Sequence, residues 1–102
     1  MRSAHVYQQR VLAGLLEELD NDHWRFTYAD GYAGRPISLT MPVTTKVYEF
    51  KKFPPVFEGL LPEGIQLDTM LRRYKLDRSD LLGQLLLVGA DVVGSLTIQP
   101  VE

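Results

Sequence analysis

The chain has 102 residues, of which 45% are apolar and 24% are charged, and its formal net charge is −2. These values are typical of one folded domain, expected to span residues 1–102, and they argue against disorder and against a basic nucleic-acid-binding face. The sequence contains no cysteine, which excludes disulfides and thiolate metal sites and fits a reducing compartment. It shows no signal segment and no run of about 18 apolar residues, so we expect a cytoplasmic protein.

The first half of the chain is predicted to form β-strands. Residues 3–8 are expected to be the first strand. Residues 10–19 fit both a helix face and a strand face, but the turn-forming triplet at residues 20–22 favours a hairpin, so we predict a strand. Residues 23–28 alternate between aromatic and polar side chains, and residues 37–41 alternate between apolar and hydroxyl side chains, as half-buried strands do.

A long connection over residues 42–55, with an extended stretch at 47–50, is expected to follow. Apolar residues at i, i+3, i+4 and i+7 then predict a helix over residues 64–75; they are Leu67, Met70, Leu71 and Tyr74. A second apolar run, Leu81, Leu82, Leu85 and Leu86, predicts a second helix. A final strand is predicted over residues 92–99.

The ends and the interior of the second helix carry further predictions. Asp77 or Ser79 is expected to be its N-cap, and Gly89 its C-terminal cap. Gly83 lies in the middle of the helix at a cost of about 1 kcal/mol relative to alanine, which a tight contact between helix and sheet would explain.

The predicted fold class is therefore α+β. We expect a small antiparallel, barrel-like sheet of about five strands, with two short helices inserted before the last strand.

Residues 57–64 form the most distinctive segment, with the sequence FEGLLPEG. Two leucines lie between glycines, a proline and acids, which predicts a fixed, partly exposed turn that carries both apolar and charged groups. Glu58 and Glu63 flank the leucines, and their carboxylates either converge or have structural roles. The structural interpretation is the simpler one for both, since the carboxylate of Glu63 would complement the dipole of the following helix.

The chemistry-bearing residues do not form a recognisable catalytic set. The sequence has no nucleophile elbow, phosphate-binding loop or dinucleotide fingerprint, so we expect neither catalysis nor a cofactor. His5 and His23 lie on different predicted strands where they could be neighbours. Because further ligands at suitable spacing are missing, we expect no metal site.

Two other groups of residues each allow two interpretations. The cations Arg72, Arg73, Lys75 and Arg78 either complement the C-terminus of a helix or form a docking patch for an acidic partner or a phosphate. The aromatic face of Trp24, Phe26 and Tyr28 is either core or a stacking platform for single-stranded RNA, although Arg25 is the one basic residue interleaved with it.

About residues 5–99 resemble the N-terminal subdomain of HipA-family serine/threonine kinases. Those kinases carry a Phe-x-Gly/Asn-Leu-Leu-Pro-Glu/Asp-Gly motif, which residues 57–64 match. A helix follows, then a helix that begins with Asp-Leu-Leu, matched by residues 80–82, and a Gly-x-Asp-x-x-Gly turn, matched by residues 89–94. The order of the three motifs is more specific than any one of them.

In the kinases this subdomain precedes the ATP site and the catalytic aspartates, whereas this chain ends at Glu102. In this respect it is similar to the HipS antitoxins of tripartite HipBST toxin–antitoxin systems. The resemblance implies an antitoxin that neutralises a HipT-like serine/threonine kinase toxin, in a complex that also contains a HipB-like helix-turn-helix DNA-binding protein.

The resemblance also implies a mechanism, in which the domain docks on the small lobe of the kinase and places residues 57–65 near the active site. The expected partner-binding residues are Phe57, Glu58, Leu61, Pro62, Glu63, Gly64 and Ile65. Glu63 would meet a basic group, and Ile65 would act as a wedge where the HipS pattern has an aromatic residue; alternatively, Ile65 only begins the apolar face of the helix. A structural or activating subunit of the kinase and a small RNA-binding module are the other functions considered.

Overall fold

The computed structural model describes residues 2–89 and 96–101. The strands in this part of the chain are β1 (Ser3–Gln8), β2 (Val11–Glu18), β3 (Trp24–Tyr28), β4 (Val47–Phe50) and β5 (Leu96–Pro100), and the α-helices are α1 (Pro55–Glu58), α2 (Gly64–Tyr74) and α3 (Leu81–Val88). The strands form one antiparallel sheet in the order β4-β3-β2-β1-β5. The α+β prediction is confirmed, but the sheet is open, with β4 and β5 at its edges, so the barrel-like closure was wrong.

Short connections explain the order of the first three strands. Gln9 and Arg10 both have positive φ, 49° and 71°, and they join Gln8 to Val11 as the two-residue turn that suits the twist of a hairpin. A 3₁₀ turn at Asp20–Asp22 joins β2 to β3. Residues 10–19 are therefore largely a strand, as predicted, and the turn chemistry before β3 was the deciding signal.

One face of the sheet is buried, because alternate residues of its strands point to the same side. Ala4 and Val6 of β1, Leu16 of β2 and Phe26 of β3 are fully buried. The covering layer comes from the second half of the chain, with Phe53, Phe57, Leu82 and Leu85 in the same cluster. The core therefore lies between one face of the sheet and the segments that include α1 and α3.

Residues 37–41 do not form the predicted strand. The Ser38 carbonyl accepts a hydrogen bond from the Met41 amide at 3.0 Å, which closes a turn. The Tyr28 hydroxyl holds both ends of that turn, accepting from the Ile37 amide at 3.1 Å and donating to the Met41 carbonyl. Ile37 and Met41 are buried, whereas the Leu39 side chain is 99% exposed at the tip.

The helices also correct several details. α1 was not predicted, although Pro55 at its first turn is a favoured helix start. The N-cap of α3 is Asp80, not Asp77 or Ser79, and its carboxylate accepts from the Gly83 amide at 3.0 Å. A Cβ at Gly83 would overlap this carboxylate, so the cap, and not a helix–sheet contact, explains the glycine.

Gly89 follows α3 at its C-cap, as predicted, but with an ordinary helical φ of −63°. A Cβ there would lie 2.6 Å from the Ile98 Cβ, so the glycine permits close packing of α3 against β5. Most of the 89–94 motif, and the first residues of the strand predicted over 92–99, lie outside the described residues. Leu96 and Ile98 of that strand are buried, as predicted.

No helix in the described ranges is long and apolar enough to cross a membrane.

Arg2 connects the sheet to α3. Its guanidinium lies 3.0 Å from each carboxylate oxygen of Glu18 at the end of β2, and 2.7 Å from Oδ1 of Asp80. Hydrogen bonding from Arg2 holds the pKa of Asp80 below its usual value, against an opposing effect of burial. Because the folded-state pKa is lowered, this interaction stabilises the protein above the pKa of the unfolded chain, about 4, and is lost as the pH falls.

Two substitutions of Asp80 separate the cap from the ion pair. Asp80→Ala removes both and should lower the free energy of unfolding by about 1–2 kcal/mol at pH 7. Asp80→Asn keeps a good cap and should cost at most about 1 kcal/mol, because the pair with Arg2 is partly exposed. Denaturant unfolding at pH 7 and pH 3 measures the free energy of unfolding of both variants. The loss of stability of Asp80→Asn relative to wild type should be smaller at pH 3. A deficit that grows on acidification would contradict this account.

Candidate partner-binding site

The 57–65 loop, defined as Phe57 to Ile65, is anchored in the core at its first residue. The Phe57 side chain is 0% exposed. Its ring centroid lies 6.1 Å from that of Phe26 on β3 and 6.5 Å from that of Phe53. The start of the loop is therefore tied directly to the sheet.

Backbone hydrogen bonds continue this ordering through the next turn. The Leu60 amide donates to the Phe57 carbonyl at 3.0 Å, and the Leu61 amide donates to the Glu58 carbonyl at 3.1 Å. The leucine side chains are half-buried against the core cluster. Pro62 then restricts the backbone, because its ring fixes φ. The predicted fixed turn is present.

Polar and apolar groups are presented at the end of the loop. Glu63 is exposed and occupies the N-cap position of α2, but its carboxylate makes no capping hydrogen bond. Gly64 has a φ of +61°, a conformation that favours glycine. The Ile65 side chain is 84% exposed. A carboxylate and a branched apolar side chain therefore stand next to each other in solvent.

The seven predicted contact residues fall into three groups. Phe57 is core, so its side chain positions the loop and is not available to a partner. Leu61 and Pro62 are half-buried, and Glu58, Glu63, Gly64 and Ile65 are exposed. The alternative in which Ile65 begins the packed face of α2 is wrong, because the stripe that faces inward contains Leu67 and Leu71 instead.

A groove opens beside the start of the loop. It has a volume of about 550 Å³, and its lining includes Phe50, Lys51, Lys52, Glu58 and Leu81. The groove combines apolar walls with charges of both signs. Together with the exposed Ile65, it gives this region both a concave and a protruding element.

Neither Glu58 nor Glu63 forms an ion pair within residues 2–89 and 96–101.

The two histidines are not neighbours, since His5 lies on β1 opposite Leu15 of β2, whereas His23 directly precedes β3. Across the same described ranges, no group of three His, Asp or Glu side chains is arranged to hold a metal ion. The exposed chemistry of the site suits recognition of another molecule.

The aromatic face of β3 does not offer a stacking platform. Trp24, Phe26 and Tyr28 are all buried. Trp24 packs edge-on against Phe53 at 4.8 Å, and Phe26 packs edge-on against Tyr28 at 5.0 Å. The core interpretation of these residues is confirmed, and the interpretation as an RNA-stacking surface is wrong.

Two exposed features escaped the sequence reasoning. Leu39 was placed on a strand face, and no local pattern signals its projection, because the Tyr28 hydroxyl that holds the turn lies nine residues from Ile37. The groove beside Glu58 depends on α1, for which Pro54 and Pro55 were the available signal.

Comparisons with known proteins agree with this geometry. Residues 4–99 match the family model described as the HipA N-terminal domain. An uncharacterized protein of Haemophilus influenzae (strain ATCC 51907 / DSM 11121 / KW20 / Rd) is 31% identical over 99 residues, which cover 97% of this chain and 92% of that protein. A solved structure titled N-terminal domain of HipA toxin superposes with a TM-score of 0.78 at 27% identity, covering 100% of this chain and 94% of the other.

The backbone at Gly64 should be sensitive to substitution, and that at Gly59 should not. Gly64→Ala places a side chain at positive φ and should lower the free energy of unfolding by about 1 kcal/mol. Gly59→Ala is the matched control, because Gly59 has a φ of −64° and the nearest contact of an added Cβ is 3.6 Å away. Thermal unfolding of both variants measures the difference. Equal melting temperatures would contradict the strained geometry at Gly64.

Proposed function

This chain belongs to the HipA N-terminal domain family, and on that premise we propose that it is an antitoxin that binds and inhibits a HipA-like serine/threonine kinase toxin. The domain docks on the small lobe of a HipT-like kinase and places the 57–65 loop near the active site. A HipB-like helix-turn-helix DNA-binding protein belongs to the same complex, which acts in the cytoplasm.

The observation that carries this proposal is the rigid presentation of Glu63 and Ile65. Phe57 fixes one end of the loop in the core, and α2 begins directly at the other end. A protruding group that is already held in place loses little conformational entropy on binding. Exposed isoleucine is costly to leave in water, and its burial in a partner recovers that cost, at about 25 cal/mol per Å² of apolar surface.

The comparisons support the assignment to a kinase partner. The matching structure is titled as a domain of the HipA toxin. The Haemophilus influenzae relative consists of little besides this domain, since 92% of its length is matched. These similarities favour a HipA-like kinase as the partner, and the role that we propose for the chain is binding.

The loop residues can be tested by co-expression with a HipA-like kinase from the same genome whose own sequence lacks this domain. The double substitution Glu63→Ala and Ile65→Ala should restore growth arrest that the wild-type chain prevents. Removing a buried interface anchor typically weakens binding by about 2 kcal/mol or more, which is roughly 30-fold in Kd. Growth curves and the Kd for purified kinase are the measurements.

Leu39→Ala is the matched control, because it truncates an apolar side chain that is also exposed but lies outside the loop. It should leave neutralisation intact, and circular dichroism should show both variants folded. Full neutralisation by the double variant would eliminate the loop mechanism. If the kinase arrests growth only when the wild-type chain is co-expressed, the chain is an activating subunit instead. If the kinase does not bind the wild-type chain at micromolar concentration, the antitoxin proposal is eliminated.

A further inference from the structure

The outward face of α2 carries more than Ile65. In a helix, residues three or four positions apart lie on one face. Ile65, Thr69, Arg72 and Arg73 have this spacing, and all four are exposed. At a rise of about 1.5 Å per residue, Arg72 lies roughly 10 Å along the helix from Ile65. One stripe therefore has an apolar start and a cationic end.

The cations at this end have no acidic partner within residues 2–89 and 96–101. Arg2, Arg25, Lys46 and Arg78 form ion pairs there, whereas Arg72, Arg73 and Lys75 do not. Arg73 lies over the ring of Tyr74 at 5.6 Å, and that ring brings no compensating negative charge. Three positive charges thus remain uncompensated within four residues of a chain whose net charge is −2.

The arrangement of Asp68 shows how Arg72 is left unpaired. Asp68 precedes Arg72 by four residues, the spacing at which an acid and a base pair on a helix surface. Its carboxylate instead bonds Arg78, which lies beyond the end of the helix. Buried Gln84 donates to the carbonyls of Asp77 and Arg78 at 3.2 and 3.0 Å, which fixes the backbone that carries Arg78. The fold thus occupies the acid that Arg72 would otherwise meet.

The alternative interpretation is that these cations only stabilise the C-terminus of α2, and the hydrogen bonds of the helix end do not require them. The C-cap of α2 is satisfied by backbone, with the amides of Lys75 and Leu76 both donating to the Leu71 carbonyl. None of the side-chain hydrogen bonds among the described residues runs from Arg72, Arg73 or Lys75 to a helix carbonyl. All three residues are exposed, and no ion pair in the described part of the chain engages their charged groups.

We propose that Arg72 and Arg73, on the same face as Ile65, form an electrostatic docking patch for an acidic surface of the kinase. This inference rests on the proposed function and names the second contact of the same interface. Ile65 would enter a cleft of the kinase, and the two arginines would contact the same surface about 10 Å further along the helix. Charges of this kind speed association and select partners, and they make binding depend on salt.

The test compares charge variants in binding to the purified kinase at 50 and 300 mM salt. Arg72→Glu with Arg73→Glu should weaken binding about 10-fold or more at low salt and should flatten the salt dependence, because interface charges act through screened attraction. Arg72→Lys with Arg73→Lys should retain most of the affinity. The matched control is Arg10→Asp with Arg35→Glu, which makes the same change of net charge at exposed positions outside α2 and should change Kd less than 3-fold.

The outcomes separate this inference from the proposed function. If wild type binds the kinase and the Glu variant has the same Kd as wild type at each salt concentration, the patch is not part of the interface. The proposed antitoxin function would then stand. Equal losses in the Glu variant and in the Arg10/Arg35 control would show a general effect of net charge and would also overturn this inference. Wild type that fails to bind the kinase overturns both. Binding of a 20-nucleotide single-stranded RNA that the Glu variant loses would assign the patch to nucleic acid instead.

A further control distinguishes loss of the docking charges in the Glu variant from loss of its folded structure. Arg72→Gln with Arg73→Gln provides the second measurement, since it removes the charges without introducing repulsion, and its melting temperature should equal that of wild type. An intermediate Kd for this variant supports the patch, and a Kd equal to that of wild type contradicts it.

Discussion

The contact between the Phe57 ring and the buried face of β3 is the interaction on which the rest of the structure depends. Phe57 closes the core over Phe26 and Phe53, so the same side chain covers the sheet and fixes the start of the 57–65 loop. Because the ring cannot leave without opening the core, the loop inherits the rigidity of the sheet. The packing of Phe57 therefore positions the start of the segment that presents the exposed Glu63 and Ile65.

The sequence was a good guide wherever one local period decided the structure. Alternation located β1, β3 and the described part of β5, and the i, i+3, i+4, i+7 stripe located α2. It misled at residues 37–41, where alternation was present but Pro36 and Pro42 flank the segment and cannot donate to a ladder. The Tyr28 hydroxyl then satisfies backbone groups at both ends of the turn. A distant side chain thus replaced the strand partner, and no local pattern records that.

The candidate site shows the same division between local and distant causes. The FEGLLPEG segment predicted an ordered turn, since its prolines and glycines act on their own backbone. The exposure of individual residues depended on the tertiary fold, which buried Phe57 and left Ile65 in solvent. Asp80, the cap of α3, also pairs with Arg2, which lies seventy-eight residues away in the chain. Long-range ion pairs of this kind leave no trace in spacing.

The position of α2 explains how one short helix could make both contacts of the proposed complex. Leu71 is the one buried residue of α2, and all its other residues are exposed or half-buried. The loop that begins at Phe57 leads into the first residue of the helix, and an exposed ion pair links Asp68, in the middle of the helix, to Arg78 beyond its end. These connections leave the outward face of the helix uncovered. The distance along the axis between Ile65 and Arg72 is set by helix geometry alone and is therefore constant. In the proposed complex, the kinase surface must match both the apolar contact and the cationic contact at that distance, so selectivity would arise from the spacing as much as from either contact.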